Sequence, residues 1–298
     1  MLKGKKSIIV GMGIGQLYKN VLENLGAEVI TVDPDPNKQA MYKTLEEAII
    51  DHGGFNTGHI CTPNYTHFEL ANQLADCSKI VFVDKPGCKN IEEWTALVFA
   101  NPLTRIMMVK NNQWREKITG LRNLMDRAKS VNVNWINKDR IPNPGSWFTT
   151  KELAFGGVSR DLMPHLLSLF MVLEEDYNKA TEISRTKEQR WSLEDLTGTD
   201  YGSVNPNGTY DVDDFCSISY EVNGRVWNLT ADWRSNAENK QNIEFVMPGG
   251  QIVGYELGLC PEDAYQNMIN DCINKFNDVA FWQKQVEQDL WIHHMVSK

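Results

Sequence analysis

Ser7-Ile8-Ile9-Val10-Gly11-Met12-Gly13-Ile14-Gly15-Gln16 carries a β-branched run into a glycine triplet, and an amphipathic helical pattern follows over residues 16–25. Strand, glycine turn and helix in that order make a site for an anion. The glycines permit a tight turn and let the backbone approach a pyrophosphate, whose charge then sits at the helix N-terminus. Asp33 ends the next β-branched run, 22 residues after Gly11, close to the spacing of a carboxylate that accepts from adenosine ribose hydroxyls. Gly15 falls one position before the third glycine of G-x-G-x-x-G. Gly11, Met12, Gly13, Ile14, Gly15, Gln16 and Asp33 are thus the first expected dinucleotide-binding residues. A carboxylate at 33 repels a 2′-phosphate and favours NAD, while Lys38 nearby keeps NADP open.

Outward from this motif the chain alternates short apolar runs (residues 28–32, 57–61, 80–83 and 105–109) with helical patterns (45–51, 68–76 and 91–100). That rhythm predicts an α/β fold of the Rossmann kind, a doubly wound parallel sheet. Beyond residue 110 the rhythm changes. A helix is expected over 114–129, a strand over 131–136, and a helix from about residue 161. Strands follow at 215–222, 225–233, 241–247 and 251–255, joined by turns such as Asn223-Gly224 and Pro248-Gly249-Gly250. Helices at 261–278 and 281–295 close the sequence. The expected domains are a dinucleotide-binding domain, residues 1–118, and a C-terminal α+β domain, residues 119–298, with a largely antiparallel open sheet. Residues 194–211 read as a long surface loop.

With 298 residues, 42% hydrophobic and 23% charged, the composition is that of an ordinary two-domain protein. A net charge of −9 argues against a nucleic-acid partner, which needs a basic surface to displace counterions. No 18-residue apolar run is present, so no membrane partner is expected. The six cysteines, Cys61, Cys77, Cys88, Cys216, Cys260 and Cys272, form no C-x-x-C pair and read as free thiols of a cytoplasmic protein. Histidine spacings give no metal site, since adjacent His293 and His294 point about 100° apart on a helix.

Three further segments resemble the Gfo/Idh/MocA oxidoreductases, the family of glucose-fructose oxidoreductase and inositol dehydrogenase. They are Cys61-Thr62-Pro63-Asn64-Tyr65-Thr66-His67 after one strand, Val83-Asp84-Lys85-Pro86 after the next, and Gly156-Gly157-Val158-Ser159-Arg160-Asp161-Leu162-Met163-Pro164-His165 at the second-domain helix. The resemblance covers nearly the whole chain, including its ending Trp291-Ile292-His293-His294. It implies that Thr62, Pro63, Asn64 and His67 line the dinucleotide, that Asp84, Lys85 and Pro86 lie near the nicotinamide, and that Asp161 and His165 form a catalytic pair with Lys85. Asp84 replaces the usual glutamate of that segment. The resemblance also implies a homodimer or homotetramer built on one face of the second sheet, and the mixed pattern of Val226, Trp227, Leu229, Ala231 and Trp233 is compatible with this.

The residue types suit these roles on their own terms. Lys85 ends a parallel strand, where open α/β sheets bind ligands, and its ammonium can hydrogen-bond a reacting oxygen. Asp161 lies four residues before His165, so on a helical turn the carboxylate can fix the imidazole tautomer and the imidazole can take a hydroxyl proton. Asn112 and Trp147 are further substrate-contact candidates; a plain turn into a helix explains Asn112 equally, and for Trp147 the role of a core aromatic is favoured over that of a pocket wall. The reading is an NAD(P)-dependent oxidoreductase that interconverts an alcohol and a ketone on a sugar, cyclitol or related polyol. Its rivals are a biliverdin reductase-like or diol dehydrogenase-like enzyme acting on a conjugated or aromatic substrate, and a nucleotide-bound regulator without catalysis.

Overall fold

The computed structural model describes residues 2–298. The chain divides into two contact units, Met1–Trp114 with Pro261–Lys298, and Arg115–Cys260.

In the first unit β1 (Lys6–Val10), β2 (Glu28–Val32), β3 (Phe55–Ile60), β4 (Ser78–Val83) and β5 (Arg105–Met108) alternate with α1 (Gly15–Asn24), α2 (Leu45–His52), α3 (His67–Ala75) and α4 (Ile91–Ala100). The strands form a five-stranded sheet in the order β2-β1-β3-β4-β5, every neighbouring pair parallel. Helices cover both faces of such a sheet, which is why Ile8, Ile9, Val81, Phe82, Met107 and Met108 are all buried within a few consecutive positions. The strand order reverses between β1 and β3, and the segments leaving their carboxyl ends, the glycine turn and Cys61–His67, border the crevice where such sheets bind ligands.

The second unit opens differently from the expected helix over 114–129. Thr119–Leu121 is a 3-10 turn and α5 (Arg122–Met125) a single helical turn. Gly120 is a poor helix former, and the Arg115 guanidinium is committed to the carbonyls of Leu257 at 2.5 Å and Gly258 at 3.1 Å. After β6 (Ser130–Ile136) come α6 (Lys151–Ala154), α7 (Val158–Asp161) and α8 (Met163–Leu173), so the helix expected from about residue 161 starts at Val158 and is jointed at Leu162. A strand that the sequence pattern does not announce, β7 (Thr181–Glu188), precedes β8 (Phe215–Val222), β9 (Arg225–Asp232), β10 (Lys240–Val246) and β11 (Ile252–Glu256). Residues 196–214 carry neither helix nor strand, as expected for the polar loop.

The sheet order is β11-β10-β6-β9-β8-β7, antiparallel except for the β6–β9 pair. Val131, Val133, Ile218, Tyr220, Trp227, Leu229 and Phe245 fall on its buried face. There Phe170 of α8 meets Trp227 edge-on with ring centroids 4.8 Å apart and stacks on Tyr220 at 5.6 Å. The opposite face is polar along its middle and carries Val226, Ile136 and Val246 toward its ends. Asn228 donates to Asn132 at 2.9 Å, Asn134 to Asn242 at 3.0 Å, and Ser219 to Asn228 at 2.8 Å. The apolar positions singled out along β9, Trp227, Leu229 and Ala231, therefore belong to the core of their own unit.

The last two helices, α9 (Glu262–Asn274) and α10 (Val279–Ser297), belong to the first unit, whereas a continuous second domain over 119–298 was expected. The physical reason is a set of buried polar contacts. Asp289 of α10 pairs with Lys110 just beyond β5, the two side chains 0% and 1% exposed, and its second oxygen accepts from the Met108 N–H at 3.0 Å. Burial pushes the Asp289 carboxyl up to about 6 against the pull of Lys110. A buried pair of this kind is costly to break once formed, so it bolts α10 to the parallel sheet. Among the described residues no helix is long and apolar enough to cross a membrane.

Candidate active site

The glycine turn is shaped by close approach. Gly11 has φ +93°, and a Cβ there would lie 2.5 Å from the Cys61 carbonyl oxygen, so only glycine fits against the segment that leaves β3. Gly15 is the first residue of α1, and a Cβ on it would come 2.8 Å from Ile9 Cγ2. It lets the helix lie close on β1, the packing role of the third glycine in the longer motif. Gly13, Ile14 and Gln16 are exposed, nothing lies within 4 Å of the Cβ position of Gly13, and no side chain caps α1. Open space above an uncapped helix N-terminus is what a pyrophosphate needs. The half-buried Asp33 accepts from the Met12 N–H at 2.7 Å and the Asp35 N–H at 2.9 Å, which fixes its carboxylate beside the turn. These residues fit a dinucleotide.

Two neighbouring segments complete this edge of the sheet. Thr62 and Pro63 lead into the 3-10 turn Asn64–Thr66, where the Thr66 hydroxyl reaches Thr62 Oγ1 at 2.6 Å and the Pro63 carbonyl at 2.7 Å. His67, the first residue of α3, is buried and points back between two loops, with Nε2 2.8 Å from the Thr62 carbonyl and Nδ1 2.7 Å from the Gly87 carbonyl. Burial lowers its pKa, and the two carbonyls and Asp84 oppose that. After β4 the chain turns at Asp84, whose carbonyl accepts from the Gly87 N–H at 3.0 Å; the Lys85–Pro86 bond is cis, and the Lys85 side chain is half-buried. The structure therefore brings the glycine turn, Thr62–His67 and Asp84–Pro86 together. Asn112 is fully buried in the 3-10 turn Asn111–Trp114.

In the second unit Asp161 ends α7 and His165 lies in the first turn of α8. Throughout residues 156–171 they alone are not buried. Two tryptophans that the sequence reading did not assign to the site frame the pair. Trp233, following β9, donates its indole N–H to Asp161 Oδ2 at 2.9 Å, and Trp135 of β6 stacks on the His165 ring with centroids 5.6 Å apart. Both look from sequence like ordinary core aromatics at strand positions. The start of α7 is held by Asp213, whose carboxylate accepts from the N–H groups of Gly157 at 3.1 Å and Ser159 at 2.8 Å and from the Ser159 hydroxyl at 3.0 Å. Trp147 is half-buried and stacks on Phe148 at 3.8 Å.

An open depression of about 840 Å³ lies elsewhere, at the amino ends of β3, β4 and β5 among Gly53, Asn56, Cys77, Lys79 and Leu103. It lies at the end of the sheet away from the glycine turn and holds none of the expected cofactor, substrate or catalytic residues. Among the described residues no group of three or more His, Cys, Asp or Glu side chains is placed to hold a metal ion.

Residues 8–102 match the family model described as oxidoreductase family, NAD-binding Rossmann fold. Among known proteins, one from Amycolatopsis mediterranei named as a UDP-kanosamine synthase oxidoreductase subunit is 30% identical over 185 residues, 56% of this chain and 51% of that protein. Levoglucosan dehydrogenase of Pseudarthrobacter phenanthrenivorans is 27% identical over 222 residues, 69% of this chain and 57% of the enzyme. The matched part thus spans about half the length of these relatives. Among solved structures, GenD2 from gentamicin A biosynthesis in complex with NAD has a TM-score of 0.77 at 17% identity, covering 99% of this chain and 93% of that one. Levoglucosan dehydrogenase with NADH and levoglucosan gives 0.71 at 16% identity, covering 99% and 95%. At those identities the likeness is one of fold, and it spans both units.

Proposed function

Because residues 8–102 are those of the Gfo/Idh/MocA oxidoreductase family, we propose that this chain is an NAD-dependent dehydrogenase that interconverts a secondary alcohol and a ketone on a sugar, cyclitol or related polyol. The observation that carries the reading is the interlocked edge of the parallel sheet. Gly11 lies against the Cys61 carbonyl, His67 spans to the lysine loop, and an uncapped helix start opens above Gly13. The relatives named for UDP-kanosamine synthesis and levoglucosan oxidation support a carbohydrate-like substrate.

NAD supplies the hydride acceptor when bound. Gly11–Gln16, Asp33, Thr62, Pro63, Asn64 and Asp84–Pro86 would hold it. By the family resemblance, an imidazole nitrogen of His165 takes the proton of the substrate hydroxyl, and Lys85 Nζ serves as a hydrogen-bond donor to a reacting oxygen. Asp161 orients the imidazole and balances the charge it gains, while the Trp233 N–H keeps that carboxylate in place. Trp135 stacked on His165 restricts the ring to one plane. The six free thiols agree with a cytoplasmic setting. The polar sheet face of the second unit is the surface on which a dimer or tetramer would form.

The test is calorimetric titration with NADH and NADPH, followed by a polyol panel read at the nicotinamide absorbance. NADH is expected to bind in preference to NADPH, and His165→Ala to lower kcat by about 10²- to 10⁴-fold. Failure to bind either cofactor would overturn the reading. Binding without turnover of any polyol would point to the nucleotide-bound regulator.

A further inference from the structure

The peptide group joining Gly87 to Cys88 is gripped at both ends by histidine rings. Its carbonyl oxygen lies 2.7 Å from His67 Nδ1, and its N–H, carried by Cys88, donates to His293 Nε2 at 3.1 Å. His293 comes from α10, 205 residues further along the chain. Its tautomer is set by its own surroundings, because Nδ1 donates to the Asp289 carbonyl at 2.8 Å and so leaves the lone pair on Nε2. The ring also stacks on Trp94 of α4 with centroids 5.0 Å apart. Gly87 has φ +79°, and a Cβ there would lie 2.7 Å from His293 Cε1 and Nε2. The bare Cα is what allows the ring to close on the peptide. The buried Asp289–Lys110 pair, one turn away on α10, fixes where the ring stands.

The gripped peptide lies two residues beyond Lys85, and Pro86 between them has no freedom in φ. With φ of Pro86 fixed, fewer torsions remain to absorb a tilt at Gly87–Cys88 before it reaches the Lys85 backbone. We infer that His293 is a positioning residue for Lys85: through the Cys88 N–H it fixes the loop from which the lysine reaches the reacting oxygen. His67 stands at the other end of the same peptide, its ring lying between the Gly87 and Thr62 carbonyls. The inference deepens the dehydrogenase reading and rests on it for the role of Lys85. It makes the C-terminal helix part of the machinery of the parallel-sheet edge.

The experiment uses the full chain with NAD and a turned-over polyol. His293→Leu removes the acceptor, and His293→Gln supplies Oε1 in its place. His293→Leu is expected to lower kcat roughly 10- to 100-fold, because a displacement of about 1 Å at a reacting group costs that much, while the Kd for NADH stays within about threefold and the circular dichroism stays native. His293→Gln should recover most of the loss. In a Lys85→Ala background His293→Leu should cost nothing further, because its effect passes through the lysine. Hydrogen exchange of the Cys88 amide should be at least about tenfold faster in His293→Leu than in wild type, whatever the activity. An equal fall of kcat in both backgrounds, or an unchanged Cys88 exchange rate, would overturn the inference. If the wild type turns over no polyol, the dehydrogenase reading fails and the positioning of a catalytic lysine by His293 goes with it. Fast Cys88 exchange would then still show that the ring holds the loop.

Discussion

Glycines precede both α1 and α7, yet the two helix starts have different occupants. At α1 no side chain caps the first turn, the space above Gly13 is open, and the nearby carboxylate, Asp33, accepts from the Met12 and Asp35 N–H groups and not from the helix start. At α7 the chain brings its own anion: Asp213 takes the N–H groups of Gly157 and Ser159, and its carbonyl accepts from the Val158 N–H at 2.7 Å. Both arrangements answer the same demand, since the first N–H groups of a helix need acceptors and its N-terminus favours negative charge. Glycine before a helix signals only that something approaches closely. Whether that something is a ligand depends on whether a distant carboxylate has already filled the place.

The largest expected effect breaks the second of these starts. A Cβ on Gly157 would lie 1.7 Å from the Asp213 carbonyl oxygen, a backbone atom that cannot swing aside. Gly157→Ala should therefore cost at least about 3 kcal/mol in a urea titration. A loss below about 1 kcal/mol would mean that the loop around Asp213 is not pinned to α7 as the distances indicate.

A pH titration separates the surroundings of the two starts. Tyr18 of α1 lies 5.1 Å, ring to ring, from His59, which has a fully buried side chain and a pKa that burial pushes down to about 3. A histidine depressed in the folded state binds fewer protons there than in the unfolded chain, so the stability present above pH 6.5 drains away as pH falls. By pH 5 the loss from this group is about 2 kcal/mol. Beside α7 the sign is opposite. Burial raises the pKa values of Asp214 and Asp232, so what these groups contribute is present in acid and lost as pH rises through their folded pKa values. Melting curves of wild type and His59→Leu between pH 4.5 and 7.5 should show a flatter acid limb in the variant, and parallel curves would contradict the assignment. Asp213→Ala comes next in size. It removes the side-chain acceptors and the negative charge beside the buried Arg160, a loss of at least about 1–2 kcal/mol by analogy with helix caps, and should leave the Kd for NADH where it was.

The two starts also show what a single sequence can disclose. The α1 site was legible because everything that defines it lies within about thirty residues: β1, the glycines and Asp33 have a fixed spacing with a physical cause. Lys85 and the Asp161–His165 pair were legible as motifs, through the family they resemble. Asp213 was not, since one more aspartate in the polar run Asp211-Val212-Asp213-Asp214 carries no sign of the helix it caps. Trp135 and Trp233 alternate as buried strand residues do, and nothing local marks them as partners of His165 and Asp161. The assignment of α9 and α10 rests on Lys110 meeting Asp289 across 179 residues, a pairing that periodicity does not encode. β7 escaped because it is an edge strand paired only with β8. Its Thr-Glu-Ile-Ser-Arg-Thr-Lys-Glu sequence is polar on both faces, and charged edges of that kind keep sheets from pairing further.

The smallest effect on the fold makes the sharpest test of the contrast. Gly13 has no neighbour within 4 Å of its Cβ position and no left-handed φ, so neither sterics nor backbone strain requires glycine there. Gly13→Ala should leave stability within about 0.5 kcal/mol of wild type. If the space above it is where a pyrophosphate lies against the helix N-terminus, the methyl group intrudes on the ligand and NADH binding weakens by about tenfold. Calorimetry and a thermal melt on the same preparation read both quantities. Unchanged affinity would detach the open helix start from the dinucleotide, and a large loss of stability would show that Gly13, like Gly157, is held by the protein itself.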